Sequence, residues 1–185
     1  MPQRIIGFSG SVSSPSRTRA LVDLAVSRAA RRFGCTAATY EISDLQPSLG
    51  QSQSLDQMDP LARRVMDAIL SADALIVGTP VYKGSFTGLF KHMIDLIDPA
   101  ALAGKPVLLT ATGGGSRHAL VIEHQLRPLF GFFEAATLPT GVYGEGSDFR
   151  DGVPASDALL ARLDRAVEQF TPWLSTARTA VISAA

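Results

Sequence analysis

Six hydroxyl side chains and one arginine fall within ten residues, "SGSVSSPSRT" at positions 9–18. The stretch follows the apolar run Ile5-Ile6-Gly7-Phe8 and runs into a segment of helical period. Ser9, Ser11, Ser13, Ser14, Ser16 and Thr18 offer O–H donors, and Gly10 permits a tight turn. A helix starting near Ser16 or Arg17 presents free backbone N–H groups and the positive end of its dipole, to which Arg17 adds a formal charge. Such a set holds an anion, phosphate above all. The alternative is a serine-rich N-cap loop with no ligand. Gly7 and Gly10 are the only glycines here, so neither G-x-G-x-x-G nor G-x-x-x-x-G-K-[ST] is present. A dinucleotide fingerprint and an NTPase phosphate loop are excluded.

Two later stretches have the character of a ring site. In "GTPVYKGSF" (78–86), Thr79-Pro80 turns out of an apolar run, and Val81, Tyr82 and Lys83 follow. Tyr82 has a flat apolar face with a polar tip, although a surface tyrosine at a helix entry reads the same way. Gly84 and Gly88 are expected to allow close backbone approach. In "TATGGGSRH" (110–118), Gly113, Gly114 and Gly115 can bring backbone N–H groups against a planar ligand, with Thr112 and Ser116 beside them. A flexible connection is the alternative there. One loop for phosphate and two for a flat ring point to a mononucleotide with an aromatic base, the flavodoxin-like solution to FMN binding. G-x-S-x-G is absent, and His92, His118 and His124 are not spaced as H-E-x-x-H, so neither a hydrolytic nucleophile nor a metal site is expected.

These loops need elements to position them. Apolar runs of strand length at 4–9, 36–42, 74–78, 106–111 and 135–142 alternate with helical patterns at 16–33, 60–71, 86–97, 116–131 and 156–175. The alternation predicts an α/β fold, a flavodoxin-like five-stranded parallel sheet of order 2-1-3-4-5 with helices on both faces. Segments 44–58 and 144–155 read as surface loops. Residues 1–175 are expected to form a single domain, with 176–185 a flexible tail. The chain has 185 residues, 46% hydrophobic and 18% charged, with 17 Lys+Arg balancing 17 Asp+Glu. That balance gives no electrostatic footprint for nucleic acid or an acidic membrane. With one cysteine, Cys35, no intrachain disulfide or thiolate cluster can form. The apolar runs fall short of a membrane span, and Met1-Pro2-Gln3-Arg4 leads directly into the first of them, so a cytoplasmic protein is expected. Segments 86–97 and 116–133 carry Phe86, Leu89, Phe90, Met93 and Ile94, then Leu126, Leu129, Phe130, Phe132 and Phe133. That exceeds what one sheet face buries and points to a homo-oligomer, dimer or tetramer.

Taken together, "SGSVSSPSRT", "TPVYKGSF", "GLFKHMIDL", "GKPVLLTATGG" and "HALVIEHQLRPLFGFFEA" resemble, in order and spacing, the NAD(P)H-dependent FMN reductases. The nearest type is the two-component reductase of sulfonate assimilation. The resemblance implies that FMN is reduced by NADH or NADPH and that FMNH2 passes to a separate monooxygenase. It implies that Ser9, Ser11, Ser16, Arg17 and Thr18 hold the phosphate, and that Pro80, Val81, Tyr82 and Lys83 border the ribityl chain and ring. Thr112, Gly113, Gly114, Gly115 and Ser116 would run along the isoalloxazine edge. Alkanesulfonate-type members have an inserted tyrosine, at a π-bulge in the tetramer interface, where this chain has His124. Pro128 lacks an N–H, so the carbonyl of residue 124 loses its helical partner and a turn closed by Leu129 N–H is expected. A solvent-facing histidine on a kinked helix fits the same residues. The rival readings are an FMN-retaining quinone, azo or metal reductase and a flavodoxin-like electron carrier. The carrier lacks support, since neither an acidic composition nor T-x-T-G-x-T is present.

Overall fold

The computed structural model describes residues 2–174; the expected tail at 176–185 lies outside the described residues. Its main elements are β1 (Arg4–Ser9), α1 (Arg17–Phe33), β2 (Thr36–Glu41), α2 (Pro60–Leu70), β3 (Ala74–Pro80) and α3 (Gly88–Asp95). There follow β4 (Pro106–Thr112), α4 (Arg127–Phe132), β5 (Ala136–Thr137), β6 (Val142–Gly144), β7 (Phe149–Arg150), β8 (Val153–Pro154) and α5 (Asp157–Glu168). The sheet runs β2-β1-β3-β4-β5 with β6 also on β4, and every pairing in it is parallel. Adjacent side chains on a strand point to opposite faces, so Ile5 and Ile6 enter two different cores. Ile6 and Phe8 pack with Met66, Phe90, Leu126 and Phe130 on one face. Ile5 and Ile76 pack with Leu21, Val22, Leu163 and Phe170 on the other. Among the described residues no helix is long and apolar enough to cross a membrane.

The helix that matters most for the site is α1. Ser16 caps it, its Oγ accepting Arg19 N–H at 3.1 Å, and Gly34 ends it in the left-handed conformation at φ 67°. It lies close on the sheet because β1 and β3 have glycines beneath it. A Cβ on Gly7 would fall 2.6 Å from Val26 and 2.7 Å from Val22, and one on Gly78 would fall 2.5 Å from Val22.

The structure departs from the sequence reading at four places. The fifth strand is two: Pro139 has no N–H for the ladder and Gly141 packs under Ile122, so pairing breaks between β5 and β6 and the sheet has six strands. Segment 44–58 is no loose loop. It folds into short 3₁₀ turns that bury Leu45 and Leu49 completely, and His92 Nε2 meets the carbonyls of Leu49 and Ser52 at 3.0 Å. Segment 144–155 forms a 3₁₀ turn at Gly146–Asp148 and the antiparallel β7-β8 hairpin. Segment 116–131 begins with a 3₁₀ turn at Ser116–His118 and then makes one π turn, Ile122–Leu126, closed by Arg127 N–H on Ile122 O. This closure lies two residues before the Leu129–residue 124 pairing argued from Pro128. The proline ring clashes with the carbonyl four residues before it, and the helix widens upstream of the obstruction.

Gly78→Ala is expected to cost about 1–3 kcal/mol through overpacking, measured from urea unfolding midpoints. Gly88→Ala is the control: nothing lies within 4 Å of its added Cβ, and it should be neutral or slightly stabilising.

Candidate functional site

A cleft of about 340 Å³ opens at the carboxyl ends of β1, β3 and β4. Ser11, Ser13, Pro15, Ser16, Arg17 and Thr18 line one side, Pro80, Val81 and Tyr82 a second, and Thr112, Gly113 and Gly114 the floor. Three loops far apart in sequence therefore meet at one sheet edge, as their positions after β1, β3 and β4 require.

The first loop is shaped by its own hydroxyls. Ser9 Oγ, fully buried, accepts Ser11 N–H at 3.4 Å, and Ser11 Oγ accepts Ser13 N–H at 3.2 Å. Ser9 thus sits behind the cleft and shapes it. Ser11 and Ser16 accept backbone N–H groups and keep their own O–H protons to donate. The N–H groups of Arg17 and Thr18, in the first turn of α1, have no intrahelical acceptor. Thr18 turns its hydroxyl inward: Oγ1 shares a 2.6 Å hydrogen bond with Thr112 Oγ1, and both residues are buried. The pair ties the start of α1 to the end of β4.

The second loop is a two-residue hairpin. Tyr82 N–H donates to Ser85 O at 2.9 Å and Ser85 N–H returns to Tyr82 O at 3.2 Å. Lys83 (φ 53°) and Gly84 (φ 85°) both take the left-handed conformation at its tip. Gly84 is needed for that turn and not for close approach, since nothing lies within 4 Å of a Cβ there or at Gly88. Lys83 does not line the cleft. Tyr82, about half exposed, reaches across it, its Oη 3.3 Å from Ser13 Oγ. Ser85 Oγ donates to Gln125 Oε1 at 3.1 Å, which joins this hairpin to the π turn that includes the exposed His124.

The third loop rests on a residue the sequence reading did not single out. Tyr143, on β6, donates its phenol to Gly115 O at 2.7 Å, and Gly113 N–H donates to Gly144 O at 3.1 Å. Burial, with Glu145 nearby, pushes the Tyr143 phenol up from its usual range. Gly115 and Ser116 lie beyond the cleft floor. The N–H groups of Gly114, Gly115 and Ser116 have no partner among the described residues. Gly146 supplies a further wall: a Cβ there would fall 3.2 Å from Arg17 Nη1 and 4.0 Å from Gly114 O. Ser13 and Pro15 line the cleft as well, Ser13 legible as one hydroxyl of the cluster and Pro15 by no signal of its own. Tyr143 and Gly146 reach the site through the β4–β6 pairing, a contact that no local pattern announces.

The set suits an anion at the α1 end and a flat ring with hydrogen-bond acceptors at the glycine end. Arg17 is the one charged residue lining the cleft, and among the described residues no carboxylate pairs with it.

The fold and this cleft define a flavodoxin-like α/β protein with its site at the carboxyl edge of a parallel sheet. Residues 3–149 match the NADPH-dependent FMN reductase family, and the chain belongs to it, as an oxidoreductase that works with FMN and NAD(P)H. It is 43% identical to the FMN reductase (NADPH) of Pseudomonas aeruginosa, over 92% of each chain. It is also 43% identical to the NADH-dependent FMN reductase SfnF of Pseudomonas fluorescens, over 95% of this chain and 94% of the relative. Among solved structures, apo NADH:FMN oxidoreductase (EMOB) superposes with a TM-score of 0.84 at 32% identity, covering 94% of this chain and 91% of that one.

Thr18→Val is expected to destabilise by about 1–3 kcal/mol, because it leaves the buried Thr112 hydroxyl unpaired. The double variant with Thr112→Val should recover part of that loss, and a double-mutant cycle of unfolding midpoints reads the coupling.

Proposed function

We propose that this chain uses FMN as a substrate, reduces it with NADH or NADPH, and releases FMNH2 to a separate monooxygenase in sulfonate desulfonation. The observation that carries this reading is the cleft itself: open, lined by neutral donors, with a single cation at the anion end. The SfnF relative, an NADH-dependent FMN reductase 43% identical over nearly the whole chain, supports the reductase part of this reading, and the sulfonate step rests on the family resemblance.

Arg17, the free N–H groups of Arg17 and Thr18, and the hydroxyls of Ser11, Ser13 and Ser16 would hold the FMN phosphate. Pro80, Val81 and Tyr82 would border the ribityl chain and ring, and the N–H groups of Gly114, Gly115 and Ser116 would meet the ring's polar edge. When bound, nicotinamide and flavin supply the chemistry, a hydride passing from nicotinamide C4 to flavin N5. The step needs no proton from the protein, so the residues above bind, orient and exclude water, and none is assigned as an acid or base. Residues 1–175 act as one flavin-binding domain in the cytoplasm on this reading.

The reading includes a homo-oligomer, dimer or tetramer. A groove of about 540 Å³ between α3 and α4, lined by Ile94, Ile97, Leu129, Phe132 and Phe133, supports it, with Phe132 68% exposed. Light scattering on Phe132→Glu checks this: the mass should fall toward that of the monomer.

Initial rates of NADH and NADPH oxidation by flavin-stripped protein, over a range of added FMN, test the main reading. Saturable dependence on FMN, with reduced FMN recovered free under anaerobic conditions, is expected. If one stoichiometric FMN restores full activity and stays bound, with turnover needing a quinone or dye, the FMN-retaining reductase is correct instead.

A further inference from the structure

The glycine loop is draped over one side chain. Gly113 lies directly on the Tyr143 ring: a Cβ there would be 2.2 Å from Oη and 3.2 Å from Cζ. Two residues on, the Tyr143 phenol donates to Gly115 O at 2.7 Å. Among the described residues the only other donor on that carbonyl is His118 N–H, at a weak 3.4 Å. The Gly115–Ser116 peptide is trans, so its carbonyl and N–H point in opposite directions. Holding the carbonyl down on Tyr143 therefore turns the Ser116 N–H away from β6, where it has no partner among the described residues. Gly115 has no side chain to prefer this orientation, so without the phenol only the weak His118 N–H holds the carbonyl, and the peptide can rotate to present it instead.

We propose that Tyr143 is a positioning residue that locks the Gly115–Ser116 peptide with its N–H outward, and thereby favours reduced over oxidised FMN. The inference rests on the reading of the cleft as the flavin site. Reduction adds negative charge to the ring's pyrimidine end. An outward N–H stabilises that charge, whereas an outward carbonyl opposes it. Tyr143 itself does not line the cleft, so it acts only through the loop. Neither the family resemblance nor the serine and glycine motifs assign it this role.

The test is Tyr143→Phe, which keeps the ring and removes the phenol. Dissociation constants for oxidised FMN (by fluorescence) and reduced FMN (anaerobically) are measured in both proteins, with unfolding midpoints as a folding control. The expected result is a loss of about tenfold for reduced FMN, the scale of one hydrogen bond to a charged group, and a much smaller loss for oxidised FMN. Equal losses for the two forms, or none, in a variant whose parent binds FMN would overturn the proposal, because a merely structural role moves both together. If the parent binds neither form, the flavin reading falls, and this inference with it. Gly113→Ala gives a second route should Tyr143→Phe fold poorly. Its added methyl must displace the phenol, so the same unequal loss is expected with Tyr143 still present.

Discussion

The closeness of α1 to the sheet is the constraint from which the site follows. Helix and sheet can approach only where the strands beneath have no side chains, and Gly7 and Gly78 supply that at the crossing with Val22 and Val26. The approach fixes where the first turn of α1 lies, and hence where its free N–H groups and Arg17 are presented. Arg19 reinforces the placement: it pairs with Asp23 on its own helix, and reaches Glu41 at 3.3 Å and the Thr39 carbonyl at 3.3 Å at the end of β2. The Thr18–Thr112 hydroxyl pair then sets the spacing between the anion end and the floor of the cleft. A shift in α1 would move all of these at once.

Each of the three loops is held in shape by its own hydrogen bonds, and each turns part of its polar surface to the cleft. In the first, serine oxygens accept N–H groups two residues onward, which bends the chain without help from another element. In the second, a closed hairpin holds Tyr82 at the rim. In the third, Tyr143 and the Gly144 carbonyl secure both ends and leave Gly114 at the apex. A ligand meets donors already in place, which lowers the ordering cost of binding. The Ser85–Gln125 contact extends this order outward, so the Tyr82 hairpin and the π turn are mechanically joined.

The strongest signals in the sequence were local ones. The Ser-rich loop, the Thr-Pro turn before Tyr82 and the glycine run each announce a chain reversal by composition, and alternation of apolar runs with helical periods sets the parallel order. What escaped depended on partners distant in sequence. Thr18 reads as a ligand donor until its hydroxyl meets Thr112, 94 residues away. Tyr143 reads as an ordinary strand residue until β6 is laid beside β4. Leu45 and Leu49 follow no helical or strand period, because 3₁₀ turns place them by contact with α2 and α3 and not by their own repeat. The π turn lies between: Pro128 signals a disrupted helix, but which carbonyl finds a partner five residues on depends on packing around Ile122 and Leu126.

The distribution of charge around the cleft constrains what can be done there. Among the described residues several basic side chains elsewhere are paired, Arg28 with Asp164, Arg32 with Glu168, Arg63 with Asp56 and Asp67, and Arg127 with Glu123. Arg17 alone among the lining residues offers a formal charge, and it sits at the anion end. At the glycine end the cleft offers N–H dipoles. A cation there would bind a reduced, negatively charged flavin strongly and slow its departure, whereas dipoles stabilise the same charge with less force. On the proposed reading, a ring that gains negative charge with the hydride would be served by such an arrangement: enough stabilisation to favour reduction, too little to retain the product. On the same reading the phosphate, whose charge does not change in the reaction, would be gripped by Arg17 without biasing either form.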